Sequence, residues 1–248
     1  MIGRSLARYW SENNIPFHSS TRHNELTSEK RPFIDLLETQ SFENLSAYKV
    51  AVLCAAITDI ATCENAPEES RIVNVSGTIE LIKKLLRTKT HIVYLSTTQV
   101  FNGEMPHEKP DATRNPINEY GRQKAEVEAF LETVPGACIL RLTKVIHPGL
   151  TILRKWKHAL SSGEPIFAFS DMALSPIDVD GVVQKIDFLV NQKISGIFQL
   201  SSERDISYFE FARGFARKNG YSPELVKEET WERKLNFKPP KYTSLKNV

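Results

Sequence analysis

Tyr120 and Lys124 stand four residues apart in Tyr120-Gly-Arg-Gln-Lys124. On a helix both side chains leave the same face, one turn apart. An ammonium held near a phenol favours the phenolate, which makes the tyrosine a better proton donor and acceptor near neutral pH. Upstream, His91-Ile-Val-Tyr-Leu-Ser-Thr97 reads as a buried strand that ends in two hydroxyls. A hydroxyl at a strand's carboxyl end stands in the crevice where open α/β sheets hold ligands. A hydroxyl anchor (Thr97), a proton-transfer tyrosine and a lysine that tunes it suit reduction of a carbonyl, or oxidation of an alcohol, beside a nicotinamide. Tyrosine and lysine at this spacing are also common on solvated helix surfaces. The elements that position the trio therefore decide what it means.

The composition permits an enzyme of this kind and excludes several other classes. A chain of 248 residues buries a sizeable core as one domain, or as one domain with a small lobe. With 41% hydrophobic and 25% charged residues it reads as a globular protein and not a disordered one. The formal net charge of +2 gives no electrostatic case for nucleic acid or an anionic membrane. No apolar run approaches a membrane span, and the first residues lack a signal-peptide layout. Cys54, Cys63 and Cys138 are odd in number and lack metal-ligand spacing. Cys54 and Cys138 lie in apolar runs, as small core residues of a reducing compartment do, so a cytoplasmic location is expected. The six histidines form no HxH or HxxxH pair, and no metal site is assigned.

Periodicity gives the elements. Residues 3–13 read as a helix with Leu6, Tyr9 and Trp10 on one face. Short strands are expected at 15–20 and 33–37, and a turn or short helix at 41–47. Residues 49–56 form an apolar run of the kind parallel sheets require. A long helix is expected from 65 to about 87, with Pro67 in its first turn and acids following. Strand 91–97 follows, then a proline-containing loop, a helix at 120–132 and a strand at 137–143. Beyond these come a basic helix at 150–162, a short strand at 166–169, a helix at 177–190, a strand at 194–200 and an amphipathic helix at 207–219. In that last helix Phe209, Phe211 and Phe215 read as core. The tail shows no strong periodicity. Alternating strands and helices predict a doubly wound, parallel, Rossmann-like α/β sheet.

Five segments in order carry a family likeness: Ala55-Ala56-Ile-Thr58, Asn74-Val-Ser-Gly-Thr78, Leu95-Ser-Thr-Thr-Gln-Val-Phe101, Pro116-Ile-Asn-Glu-Tyr-Gly-Arg-Gln-Lys124 and Arg141-Leu-Thr143. The chain resembles the extended short-chain dehydrogenase/reductase (NAD-dependent epimerase/dehydratase) family over nearly its whole length. The nearest branch is that of dTDP-4-dehydrorhamnose reductase, whose members act on nucleotide sugars with NADP or NAD. The resemblance implies that Thr97 binds the substrate carbonyl with Ser96 beside it, and that Tyr120 donates the proton. It implies that Lys124 holds the nicotinamide ribose and lowers the tyrosine's pKa. Asp35 and Leu36 match the pair near the adenine, and Ala55 and Ala56 match the small residues under the cofactor. Simple strand packing explains the alanines equally well, and Asn74 reads as well as a helix-surface amide.

Departures from the family pattern bear on competence and on substrate. Such folds open with a strand and a glycine-rich turn that lets the backbone approach a pyrophosphate. Here the chain opens at Met1-Ile2-Gly3, and Gly3 matches the last glycine of that turn. The expectation is a fragment or a late-assigned start, whose literal chain binds dinucleotide weakly or not at all. Similarly, the tail resembles the segment before the family's last helix. Where the branch has Ser-Thr-Asp-Tyr-Val-Phe, this chain has Ser96-Thr97-Thr98-Gln99-Val100-Phe101, so Thr98 and Gln99 join Ser96 as substrate-binding candidates. Where the branch has Arg-Thr-Ser-Trp-Val, this chain has Arg141-Leu-Thr-Lys144-Val145, which replaces an aromatic by Lys144. That lysine suits a phosphate or carboxylate, or is simply solvated. Arg22 lies 19 residues after Gly3 and leans towards NADP over NAD, unless it is an ordinary loop arginine.

The expected function is NAD(P)-dependent reduction of a nucleotide-linked 4-keto sugar. A sugar-nucleotide epimerase and a non-catalytic binding or regulatory protein of the same fold are the alternatives. A dehydratase is disfavoured because Thr98-Gln99 lacks the Asp-Glu pair. Residues 1–145 and 177–202 are assigned to a dinucleotide-binding domain without its first strand, and 146–176 and 203–248 to a substrate-binding lobe. Neither nucleic acid nor membrane is an expected partner, and a homodimer is left open.

Overall fold

The computed structural model describes residues 1–42, 45, 47–233 and 239–248. In chain order it contains α1 (Ile2–Glu12), β1 (Val50–Leu53), α2 (Ile60–Asn65), α3 (Pro67–Arg71), a π-helical turn (Ile72–Gly77), α4 (Thr78–Leu86), β2 (His91–Thr97) and α5 (Glu119–Glu132). It continues with β3 (Cys138–Leu142), β4 (Lys144–Ile146), α6 (Thr151–Ser161), β5 (Ile166–Phe169), β6 (Ala173–Leu174), β7 (Pro176–Asp178) and α7 (Val179–Gln192). β8 (Gly196–Leu200), β9 (Ile206–Ser207), α8 (Tyr208–Lys218) and β10 (Val226–Glu229) complete it.

The main sheet has the order β1-β2-β3-β8 and is parallel throughout. Its register sets Thr97 beside Leu142, and Leu142 beside Leu200, so three strands reach one carboxyl edge together. Both faces are covered, which is why β2 and β3 read as continuous apolar runs. On one face Val93, Leu95, Cys138 and Leu140 pack with α7 and with Leu6 of α1. On the other, Ile92, Tyr94 and Ile139 pack with Ile82, Leu85, Val127 and Leu131 of α4 and α5. Each such side chain, fully buried, contributes about 1.5–3 kcal/mol. The doubly wound architecture expected from the alternation of elements is the one observed. No helix among the described residues is long and apolar enough to cross a membrane.

Several elements differ from expectation. Residues 15–20 and 33–37 do not enter the main sheet; one isolated parallel bridge, Thr21 to Phe33, joins the two stretches. The two stretches bond instead to one another's ends: the Thr21 amide donates to the Pro32 carbonyl at 3.0 Å and the Ile34 amide to the Thr21 carbonyl at 2.8 Å. The turn expected at 41–47 starts earlier, as a 3-10 turn at Thr39–Phe42; residues 43, 44 and 46 lie outside the described residues. The long helix expected from 65 is instead α2, α3, the π turn and α4 in series. Asp59 starts α2 by accepting the Thr62 amide at 2.8 Å, and Pro67 opens α3 and prevents α2 from continuing through it. Residues 177 and 178, expected to open a helix, belong with Pro176 to β7 and pair with β4, so α7 begins at Val179.

The later chain builds a second core. β5 pairs in parallel with β10, and α6 and α8 pack on them through Leu153, Trp156, Leu160, Ala212 and Ala216. Trp156 lies 6.0 Å from both Phe211 and Phe215, centroid to centroid, so these phenylalanines are core as expected. The aperiodic tail is also well packed. The Tyr242 amide donates to the Gly103 carbonyl at 2.9 Å, and the Lys246 amide to the Glu108 carbonyl at 3.0 Å. Leu245 is buried against Val100 and Phe101. Gly103 has φ +70, and a side chain there would collide with Pro240 and Tyr242, so glycine is what lets the tail lie this close.

Candidate active site

Two local devices bring the end of β2 onto the start of α5. Asn118 caps α5: its Oδ1 accepts the Gly121 amide at 2.8 Å while its Nδ2 donates to Gln99 Oε1 at 2.7 Å. Losing such a cap costs about 1 kcal/mol. Gly121 then seats the helix on the turn after β2, because a Cβ at that position would overlap the Gln99 carbonyl. The first turn of α5 is therefore pressed against Thr98–Val100, and Tyr120 arrives beside Thr97.

Thr97, Tyr120 and Lys124 are all buried, at 8%, 8% and 4% exposure. The Thr97 hydroxyl accepts the Gln99 amide at 3.2 Å and lies near enough to the Tyr120 phenol to favour its ionised form. Lys124 donates from Nζ to the Leu95 carbonyl at 2.9 Å. That nitrogen sits 4.5 Å from the Tyr94 ring centroid and 5.9 Å from that of Tyr120. Burial pulls the lysine down from 10.5 to about 8, with Glu128 and the two nearby thiols opposing. The phenol moves the other way. Burial carries Tyr120 well above 10, the Cys63 thiol adds to the rise, and the Thr97 hydroxyl opposes it. The sequence alone argues for a phenolate favoured by its lysine. In the folded protein desolvation outweighs that attraction, and the tyrosine keeps its proton at neutral pH.

The remaining candidates fall into separate groups. Ser96 is buried one residue before Thr97, and its hydroxyl has no protein partner; the same is true of Thr143 at the end of the neighbouring strand. Thr98 spends its proton on the Thr243 carbonyl at 2.9 Å. Gln99 uses its amide oxygen on Asn118. Lys144 is exposed at the start of β4. Gly3 lies in the first turn of α1, where an added Cβ would sit 3.4 Å from Cys54 Cβ, so this helix begins at the carboxyl end of β1. Ala55 and Ala56 follow that end, exposed and half-buried respectively. Asp35 stays on its own loop, accepting the Leu37 amide at 3.0 Å, while the Leu36 backbone presses on Gly77 with no room for a Cβ. Arg22 is exposed in the segment outside the sheet.

Buried polar networks missing from the sequence reading hold these parts together. Asn74 is 1% exposed, which removes the surface-amide reading. It accepts the Ile57 amide at 2.8 Å and donates to the Ile57 carbonyl at 2.9 Å and to Gln123 Oε1 at 2.8 Å. Gln123 in turn donates to Ser70 Oγ at 2.8 Å. The loop after Ala56 is thus locked to the same helix that carries Tyr120 and Lys124. Deeper, Arg141 pairs with Glu128 at 2.7 Å, with both side chains almost fully buried. The Asn118 cap, not part of the sequence reading, had a local signal, an asparagine just before a helix start. Nothing in a single sequence marks Gln123, Glu128 or Arg141 as buried.

The fit to a dinucleotide rests on one feature of the protein itself. The Ser96 and Thr143 hydroxyls, at the carboxyl ends of two neighbouring strands, are buried without a protein partner, and a polar ring amide or a sugar oxygen would satisfy them.

Comparisons with known proteins agree with this geometry. The chain is 28% identical over 205 residues to the probable low-salt glycan biosynthesis reductase Agl14 of Haloferax volcanii, covering 78% of this chain and 68% of that one. It is 27% identical over 252 residues to the dTDP-4-keto-6-deoxy-D-glucose reductase of Streptomyces niveus, covering 99% and 85%. A solved structure described as a hypothetical dTDP-4-dehydrorhamnose reductase from Sulfolobus tokodaii superposes with a TM-score of 0.85 at 27% identity, covering 99% of this chain and 88% of that one. The family model described as the RmlD substrate binding domain matches residues 1–248. With a buried Thr97–Tyr120–Lys124 trio at the carboxyl edge of a parallel sheet and that match along its length, the chain belongs to the RmlD substrate binding domain family.

Proposed function

We propose that this chain is an NAD(P)-dependent reductase of a nucleotide-linked 4-keto sugar, working in the cytoplasm. One observation carries the reading: Tyr120 and Lys124 are buried one helical turn apart on α5, where its start packs on the end of β2 that carries the buried Thr97. NAD(P)H, when bound, supplies the hydride. The protein's own residues handle the oxygen. Thr97 donates a hydrogen bond that orients the substrate carbonyl, and Tyr120, which holds its proton at pH 7, delivers it to that oxygen as negative charge develops. Lys124, with a pKa of about 8, is mostly charged at pH 7, and its field stabilises the phenolate left behind.

The binding roles follow the same geometry. The start of α1 with Gly3 would receive the pyrophosphate, Ala55 and Ala56 would underlie the cofactor, and Asp35 and Leu36 would flank the adenine. Arg22 supports a preference for NADP over NAD. Ser96, Thr98, Gln99 and Lys144 would face the substrate, with Lys144 aimed at an anionic group. The second core, built on α6, α8, β5 and β10, would serve as the substrate-binding lobe against a dinucleotide-binding domain of residues 1–145 and 177–202.

A non-catalytic binding protein of the same fold is the second reading. Titration with NADPH, followed by fluorescence, separates the two readings. Saturable micromolar binding and oxidation of NADPH by a dTDP-4-keto-6-deoxy sugar support the reductase; tight sugar-nucleotide binding without turnover at any NADPH concentration supports the alternative.

A further inference from the structure

Asp205 lies between β8 and β9, far in sequence from the catalytic trio, yet it is tied to it. Its Oδ1 accepts the Thr243 amide at 2.8 Å, the Thr243 hydroxyl at 2.9 Å and the Ser244 amide at 3.0 Å. Its Oδ2 accepts the Ser244 hydroxyl at 2.6 Å. One carboxylate thus takes four hydrogen bonds from two consecutive residues of the tail. Hydrogen bonds to an ionised acceptor are the strong ones. The gripped residue then grips the site: the Thr243 carbonyl receives the Thr98 hydroxyl at 2.9 Å. Thr98 is the peptide neighbour of Thr97 and opens the tight turn whose first free amide Thr97 caps.

That turn is held from two sides. The α5 side holds it through Asn118 and Gly121, and α5 also carries Tyr120. The tail holds it through Thr98, and the tail is anchored by Asp205. Asp205 itself belongs to the second core: the next residues form β9, which pairs with β6 and runs directly into α8. We propose that Asp205 is a positioning residue that sets the Thr97 hydroxyl against the Tyr120 phenol through Thr243 and Thr98, so that the placement of the second core is transmitted to the catalytic pair. The inference rests on the reductase reading for its kinetic consequence, but not for its structural one.

The test uses the full chain with Asp205→Ala, Asp205→Asn, Thr98→Val and the Asp205→Ala/Thr98→Val double variant. Misplacement of a catalytic group by a fraction of an ångström costs between about 10- and 100-fold in rate. Asp205→Ala lowers kcat in that range with the NADPH KM unchanged, while Asp205→Asn, whose Oδ1 still accepts three of the bonds, restores most of it. Thr98→Val costs little further in the Asp205→Ala background, because the two changes break one chain of contacts. Amide hydrogen exchange gives a readout that needs no activity: Asp205→Ala accelerates exchange in residues 97–102 as well as 240–248. Where Asp205→Ala does not fold, Thr243→Val, which removes the Thr243 hydroxyl's bond to Oδ1, replaces it in the kinetic and exchange arms. Exchange confined to 240–248, or additive losses in kcat, overturns the proposal. A wild-type chain that turns over no sugar refutes the reductase reading, and the exchange experiment then decides the clamp by itself.

Discussion

The two halves of the proposed site are built to different standards. In the proton-transfer half, β2 pairs on both edges and is buried from Ile92 to Thr97, and half of the residues of α5 are buried. In the dinucleotide half, every residue of β1 is only half-buried and one of its edges pairs with nothing among the described residues. Its helix α1 buries just Ser5 and Leu6, and residues 15–42 hang together through turns and single bridges. The first half is over-determined by packing, caps and buried amides. The second rests on fewer contacts.

That difference orders the expected effects. Tyr120→Phe attacks the first half at its centre: turnover falls by about 10²–10⁴ while NADPH affinity, read by fluorescence titration, stays unchanged. Retained turnover would dismiss the tyrosine as the proton donor. Glu128→Ala leaves Arg141 buried and unpaired, and denaturant melts should show a loss of about 3–5 kcal/mol. An equivalent lesion in the other half, Gly77→Ala, drives a Cβ into the Leu36 carbonyl and costs about 1–3 kcal/mol, with weaker NADPH binding as residues 35–36 shift.

Lys124→Met removes turnover but raises the melting temperature at pH 7, because a charged lysine buried below its ordinary pKa opposes folding. The sign follows from linkage. Between about 8 and 10.5 the unfolded chain holds the proton that the folded one has released, so wild-type stability gains as pH rises through that window. The advantage of Lys124→Met should therefore shrink across it and vanish above it, while wild-type kcat falls above about pH 8. A flat difference in melting temperature from pH 7 to 11 would remove the argument. Arg22→Ala is the mildest: a loss of roughly ten-fold or less in the preference for NADPH over NADH, seen as a ratio of KM values, with stability unchanged.

Legibility followed the same division. β2, β3, α5 and the trio were readable because continuous apolar runs and a four-residue spacing are local signals. Residues 15–20 and 33–37 were not, because a few apolar residues between prolines look like strand ends whether or not a sheet accepts them. The tail was also opaque: Tyr242 to Lys246 has no period, yet it lies along the loop after β2 and is anchored by Asp205, a contact between positions nearly forty residues apart.

The sequence by itself determined the parallel α/β alternation, the tyrosine–lysine face of α5 and the hydroxyls at the end of β2, since periodicity and side-chain chemistry are properties of neighbours along the chain. It could not determine the protonation of that tyrosine. An ammonium four residues away argues for ionisation, and only the tertiary structure shows that both groups are stripped of water, with the lysine's proton committed to the Leu95 carbonyl. Desolvation depends on what packs around a group from distant segments, here β2, the Asn74 and Gln123 amides and the turn pressed against Gly121, so its sign was decided by the fold.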